Sequence, residues 1–284
     1  MSIKLENISY TYQIGRPFEK LVLENISLEI RENTIVGIMG ATSSGKTTLL
    51  QILAGLLTVQ KGQVIIDNDI KVNTQNTFVN SVGLVFQFPE MQFILDRVFD
   101  EIAYSLTFLK LKQAEIKNRV LESMEIVGLP GAKYKDRRIE NLSSGEKRRV
   151  AIATILALDR KYILLDEPTA ALDYPGRQDL QKLILRLRDS NKTVVIVSHD
   201  LSYLLEMCDE IYIISKGRVA MVLSSDLRPE KLDSLKTLSH PLPAYMETAI
   251  KLKKKGFDLR LENWTEDALI EEIIATLVSG HLAD

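Results

Sequence analysis

The chain has 284 residues, 45 % of them hydrophobic and 26 % charged with a formal net charge of -2, enough to bury a full core with room for one large domain and a small appendage. That balance gives no global electrostatic pull toward nucleic acid or anionic lipid, so local features must decide what the chain meets. A single cysteine, Cys208, excludes an internal disulfide and a cysteine-based metal centre, and reads as small apolar filler on a helix in a reducing compartment.

The first twenty residues lack the apolar core of a signal peptide, and no apolar stretch approaches the ~18 residues a membrane span needs. The expectation is a cytosolic chain whose link to any membrane runs through another protein. Residues 3–12 and 21–30 alternate apolar and polar positions around the turn Gly15-Arg16-Pro17, the pattern of an antiparallel strand pair. The apolar run Thr34-Ile35-Val36-Gly37-Ile38-Met39 then leads directly into Gly40-Ala41-Thr42-Ser43-Ser44-Gly45-Lys46-Thr47, a G-x-x-x-x-G-K-[ST] loop of Walker A type. Its two glycines let successive backbone N–H groups turn inward on phosphate oxygens, ahead of a helix beginning at Thr48 and spanning residues 48–57, whose N-terminus favours anions. Lys46 is placed to reach the outer phosphates and Thr47 to ligate Mg²⁺.

Residues 62–67 and 81–86 read as further strands, the second followed by the breaker Pro89. The period then turns helical. Leu111, Ile116, Val120, Leu121, Met124 and Val127 fall near helical spacing and stop at Gly128 and Pro130, so residues 93–158 are expected to be mainly helical. Strands resume over residues 162–165 and end in Asp166-Glu167, a Walker B pattern in which Asp166 binds the Mg²⁺ of a nucleotide and Glu167 polarises the attacking water. A helix over 176–188 alternates with strands at 194–197 and 210–215, giving βαβ units and a parallel sheet into which a helical block is inserted. After about residue 225, Pro229, Pro241 and Pro243 break the chain into short helices, and Lys253-Lys254-Lys255 reads as a solvated helix end. A final amphipathic helix over 266–278, started by Thr265 and stopped near Gly280, carries the stripe Leu269, Ile270, Ile273, Ile274, Leu277 and Val278. That stripe either covers the parent domain or meets another subunit.

Between the two Walker motifs lies Asn141-Leu142-Ser143-Ser144-Gly145-Glu146-Lys147-Arg148-Arg149, which resembles the L-S-G-G-Q signature loop of the ATP-binding cassette (ABC) ATPases. Gln87 after strand 81–86, the turn Ala170-Ala171-Leu172-Asp173, and His199 within Val197-Ser198-His199-Asp200 complete that family's motif order over residues 1–225. The resemblance implies a P-loop NTPase (RecA-like) α/β fold: a parallel sheet core, an antiparallel β subdomain, a helical subdomain at about 88–158, and a helical C-terminal extension over 226–284 that is a candidate dimerisation region. It further implies that two cassettes pair head to tail around ATP, with Ser143 and the N–H groups around Gly145 on the partner's γ-phosphate. Gln87 would sense Mg²⁺ and the γ-phosphate, Asp173 would touch the opposite subunit, His199 would hydrogen-bond the γ-phosphate, and Tyr12 would stack on adenine. Ser43 stands where the Walker loop commonly has a third glycine, Ser144 replaces the first signature glycine, and Glu146 replaces glutamine. Were Ser144 to take positive φ, it would cost about 1 kcal/mol relative to glycine.

Finer resemblance points to the ATPases of energy-coupling factor (ECF) transporters, importers of vitamins and of cobalt or nickel. It rests on Phe86-Gln87-Phe88-Pro89-Glu90-Met91-Gln92-Phe93, Val98-Phe99-Asp100-Glu101-Ile102-Ala103 and Gly145-Glu146-Lys147-Arg148-Arg149-Val150-Ala151-Ile152-Ala153, and on the tail at 249–262. Phe88, Met91 and Phe93 beside Gln87 suit a groove that grips a partner helix. The implied partners are a second ABC ATPase, identical or paralogous, a coupling transmembrane subunit and a substrate-binding membrane subunit, with no nucleic acid. The implied location is peripheral, on the cytoplasmic face of the cell membrane. The competing readings are another ABC importer or exporter, and a soluble ABC ATPase acting on DNA or ribosomes, which usually needs a second cassette or a long coiled-coil insertion. A P-loop kinase or GTPase leaves Ser143 to Glu146 and His199 unexplained.

Overall fold

In the computed structural model, the residues described are 2–67, 69–70, 81–224, 242–257, 259 and 266–279; the expected breakers Pro229 and Pro241, the helix start Thr265 and the stop Gly280 lie outside them. Strand β1 (Ser2–Tyr12) pairs antiparallel with β2 (Lys20–Arg31) on one side and with β4 (Lys61–Ile66) on the other, and β5 (Asp69–Ile70) closes this sheet. Its alternation is interrupted where Asn7 and Asn25 take φ of +52° and +54° at a register shift, which keeps both Leu5 and Ile8 in the core.

The second sheet has the order β10-β9-β3-β8-β7-β6. Strands β3 (Ile35–Met39), β6 (Val82–Val85), β7 (Tyr162–Asp166), β8 (Thr193–Ser198) and β9 (Glu210–Ser215) run parallel, and β10 (Arg218–Ser224) is an antiparallel edge. Every residue of β3 and β8 is buried, because the sheet is covered on both faces; this explains why these strands read as continuous apolar runs. Their side chains still alternate. Val36, Ile38, Leu164, Val195 and Val197 pack toward the antiparallel sheet and α1 (Lys46–Leu53), whereas Ile35, Met39, Ile163, Leu165, Val194 and Ile196 pack toward the remaining helices.

Helix α1 ends four residues short of the expected 57, because the amides of Leu56 and Leu57 fold back onto the Gln51 carbonyl and close it. The helical block comprises α2 (Val98–Leu106), α3 (Gln113–Ile126), the short α4 (Gly131–Tyr134) and α5 (Ser144–Ala157), with Ile116, Val120 and Met124 of α3 on the buried face that their spacing demands. Helix α6 (Tyr174–Asp189) is capped by Asp173, whose carboxylate accepts the Gly176 N–H at 3.0 Å, and the short α7 (Leu201–Met207) is capped by Asp200. In the tail, α8 (Ala244–Lys254) and α9 (Glu266–Ser279) pack on this side of the core through Met246, Ala249, Ile250 and Leu269. The three lysines close α8, with Lys253 donating to the Leu259 carbonyl at 2.8 Å. Among the described residues no helix is long and apolar enough to cross a membrane.

Candidate active site

Every parallel strand delivers its loop to the same edge of the sheet, where α/β folds bind ligands. β3 leads to residues 40–45, β6 to Gln87, β7 to Asp166 and Glu167, and β8 to Ser198 and His199; in register, Met39 lies opposite Ser198 and Asp166 opposite Val197.

The loop after β3 is built for close approach. A Cβ at Gly40 would lie 2.4 Å from Ser44 Oγ and 2.5 Å from the Ile214 carbonyl, and Gly45, at φ +107°, sits where a Cβ would lie 2.7 Å from Leu23 Cδ2. Ser43 takes φ +65°, so the position that commonly holds a third glycine does need the left-handed conformation. The helix that follows has no side-chain cap and no acidic residue in its first turn, which leaves its N–H groups and the positive end of its dipole turned to the loop. Ser44 Oγ is buried without a partner. The half-buried Lys46 ammonium donates to the carbonyls of Gly40 at 2.6 Å and Ala41 at 2.9 Å; burial lowers its pKa while Glu167 and Asp166 act to raise it. Ala41, Thr42 and Thr47 are exposed at the loop surface.

Across the sheet edge, burial and the neighbouring Glu167 charge push the Asp166 carboxyl up to about 6, with Lys46 opposing them. Asp166 and Glu167 act on one another and on the Lys46 ammonium, and their carboxylates are the hard oxygen donors that Mg²⁺ prefers. Glu167 takes φ +44° and is fixed on three sides. Its N–H donates to the Val197 carbonyl at 2.8 Å, Ser198 Oγ donates to its Oε2 at 3.3 Å, and His199 Nδ1 lies 3.0 Å from the same oxygen. The Glu167 side chain is 13 % exposed and that of His199 78 %, so the carboxylate is sheltered while the histidine faces outward. Ser198, whose part the motif reading missed, also accepts the Asp200 N–H at 3.1 Å and so locks the corner between β8 and α7.

Tyr12 stands at the end of β1 with its ring edge-on to Tyr10, centroids 5.0 Å apart, and its Oη 3.2 Å from Thr48 Oγ1. That contact ties the aromatic to the helix behind the phosphate loop. Ser143 and Gly145 lie instead at the N-terminus of α5. There Ser143 forms a capping box with Glu146: Ser143 Oγ accepts the Glu146 N–H at 3.2 Å and the Glu146 carboxylate accepts the Ser143 N–H at 2.8 Å. Ser144 is the first residue of the helix and is not among the positive-φ residues, so the strain considered for it does not arise; its hydroxyl donates to the Ala171 carbonyl at 3.4 Å.

A glycine loop after β3, a carboxylate pair at the end of β7 two strands away, and a helix-capping serine on an inserted helical block define a nucleotide-binding cassette. The chain matches the ABC transporter family over residues 23–170 and belongs to that family. It is 36 % identical over 285 residues to the energy-coupling factor transporter ATP-binding protein EcfA2 of Clostridium acetobutylicum, covering 99 % of each chain, and 37 % identical to that of Streptococcus thermophilus, covering 99 % of this chain and 100 % of the relative. Among solved structures, cbiO1 from Clostridium perfringens, described as part of the ABC transporter complex cbiONQ, superposes with a TM-score of 0.73 at 28 % identity, covering 89 % of this chain and 96 % of that one. A dimeric ATP-binding cassette in a post-hydrolysis state bound to ADP and Pi superposes with a TM-score of 0.70 at 30 % identity, covering 78 % of this chain and 98 % of its own.

Proposed function

We propose that this chain is the ATP-hydrolysing subunit that energises a membrane importer of the ECF type. The observation that carries the proposal is the joining, on one loop, of the site and an outward apolar surface. From Gln87 at the sheet edge the chain runs into Phe88, Met91 and Ile94, all exposed, with Met91 at 83 %. Beside them opens a cavity of about 290 Å³ lined by Glu90, Phe93, Ile94, Asp96, Arg138 and Lys147, so a partner helix seated there touches the loop that reads the nucleotide. Phe93 belongs to the wall of this groove, being partly buried against the core.

In this reading residues 1–225 form the nucleotide-binding unit and pair head to tail with a second cassette, identical or paralogous. Tyr12 stacks on the adenine, and the amides of 40–48 with the Lys46 ammonium hold the phosphates. Thr47, Asp166 and Gln87 would hold Mg²⁺, which when bound supplies neutralising charge at the phosphate oxygens. Glu167 orients water and accepts its proton, with its carboxylate kept in place by Ser198, and His199 turns its exposed ring to the γ-phosphate. Ser143 and the amides near Gly145 complete the partner's site at the N-terminus of α5. The extension at 226–284 serves dimerisation: Leu269 of its stripe is buried in the parent core, whereas Ile270, Ile274 and Val278, at four-residue spacing, face outward. The chain sits at the cytoplasmic face of the membrane through a coupling subunit and a substrate-binding subunit. Purifying the tagged chain from detergent-solubilised native membranes and identifying its companions by mass spectrometry tests this. Recovery of a second cassette with hydrophobic subunits is expected; recovery alone, or with ribosomes or DNA-processing proteins, overturns transport.

A further inference from the structure

Arg148 lies on α5, five positions beyond the cap Ser143, and only 4 % of it is exposed. Its Nη2 donates to the Gln87 carbonyl at 3.0 Å, and its Nη1 donates to the Ala170 carbonyl at 3.1 Å and to the Pro168 carbonyl. Nε is buried without a partner. Among the described residues no carboxylate forms an ion pair with this guanidinium. Burial disfavours the Arg148 charge, and the Glu90 charge, with no direct ion pair, offsets this only in part, so a cation hydrogen-bonded to carbonyls is expensive here compared with an apolar side chain of similar size. What arginine supplies is a rigid planar fork of donors long enough to hold two separate loops at once.

Those loops are the ones the reaction uses. Gln87 opens the passage from β6 to the helical block, and Pro168 and Ala170 directly follow the Asp166-Glu167 pair. Any shift of α5 relative to β6 and β7 must therefore stretch bonds to both. We infer that Arg148 is a positioning residue that couples the two nucleotide sites of a pair: contact of the partner's nucleotide with the Ser143 end of α5 is passed, through the guanidinium, to the Gln87 loop and to the segment that fixes Glu167 in this chain's own site. The inference rests on the head-to-tail pairing proposed above. Coupling of this kind is reciprocal, so Arg148 also passes the state of this chain's Gln87 loop back to the signature end that the partner's nucleotide meets.

The test uses the purified transporter complex carrying Arg148→Gln, which keeps two donors and loses the charge, and Arg148→Lys, which keeps the charge but not the fork. Hydrolysis is followed against ATP concentration, nucleotide affinity by equilibrium titration, and folding by thermal melting. We expect both variants to hold nucleotide affinity within about two-fold while the Hill coefficient falls to one and kcat drops roughly ten-fold. Arg148→Lys carries the test should Arg148→Gln fail to fold. A lowered melting temperature with kcat and cooperativity unchanged makes Arg148 purely structural and overturns the inference. A parent complex that is itself non-cooperative overturns the pairing and the coupling together, whereas a cooperative parent with equally cooperative variants overturns the coupling alone.

Discussion

Glu167→Gln is the substitution with the sharpest consequence. Glutamine has the same shape, its amide still reaches Ser198 Oγ and His199, and the buried strand β7 beneath it is untouched, so the folded state should persist. What disappears is the proton acceptor of the proposed mechanism. Loss of a positioned general base costs roughly 10²- to 10⁴-fold in rate, equivalent to about 3–5 kcal/mol of barrier at 1.36 kcal/mol per decade. The substitution also removes a negative charge beside Asp166, one of the two causes that push that carboxyl up to about 6, so the Asp166 pKa should fall toward the ordinary carboxylate range. Nucleotide binding should be retained, and the paired ATP state should accumulate. The assay is single-turnover hydrolysis together with sedimentation of the ATP-loaded chain, and ¹³C-carboxyl titration reports Asp166. A hydrolysis rate within three-fold of the parent would refute the assignment of Glu167 as base, and an unmoved Asp166 titration would refute the electrostatic account.

Other outcomes follow from the same geometry. Lys46→Ala removes the cation tied to the Gly40 and Ala41 carbonyls and should abolish binding in a fluorescent-nucleotide titration, with parent-like affinity contradicting the phosphate cradle. Tyr12→Ala should weaken nucleotide binding by about ten-fold, since aromatic stacking on a base is worth about 1–3 kcal/mol, while Tyr12→Phe, which keeps the ring and loses only the Thr48 contact, should bind nearly as the parent does. Because the folded-state pKa of Asp166 is raised, the folded protein holds the proton more tightly than the unfolded chain, and stability falls as pH rises from about 3.8 through about 6. Asp166→Asn should therefore raise the melting temperature of the nucleotide-free protein in EDTA at pH 7.5 and leave it unchanged below pH 4; a difference that is constant with pH would contradict this. Ile163→Ala, at a fully buried position of β7, should cost about 2–5 kcal/mol in denaturant unfolding.

Local sequence determined a great deal here. The loop 40–47 carries its own geometry, because a glycine-bearing turn between an apolar strand and a helix can fold in few ways, and the apolar runs at 34–39 and 162–165 read as strands. Ser143 with Glu146, Asp173 and Asp200 proved in the structure to be helix caps as well as motif residues. Boundaries were less legible, as α1 shows, since the closing bonds to Gln51 come from the chain beyond the helix.

What only the tertiary structure decided is how distant segments share atoms. That Ser144 stays in right-handed helical geometry while Ser43 is left-handed depends on where α5 begins and how the phosphate loop folds around the Ile214 carbonyl, and no local pattern encodes either. That Ser198 grips Glu167, 31 residues away in sequence, follows from the pairing of β7 with β8. Arg148, which entered the sequence reading only as part of the signature resemblance, is buried because β6, β7 and α5 converge on it and offer carbonyls from 20 to 61 residues away. Side-chain chemistry and spacing are local properties and can be read along the chain; burial and the identity of a hydrogen-bond partner are properties of the packing, and they come into being only when the strands assemble.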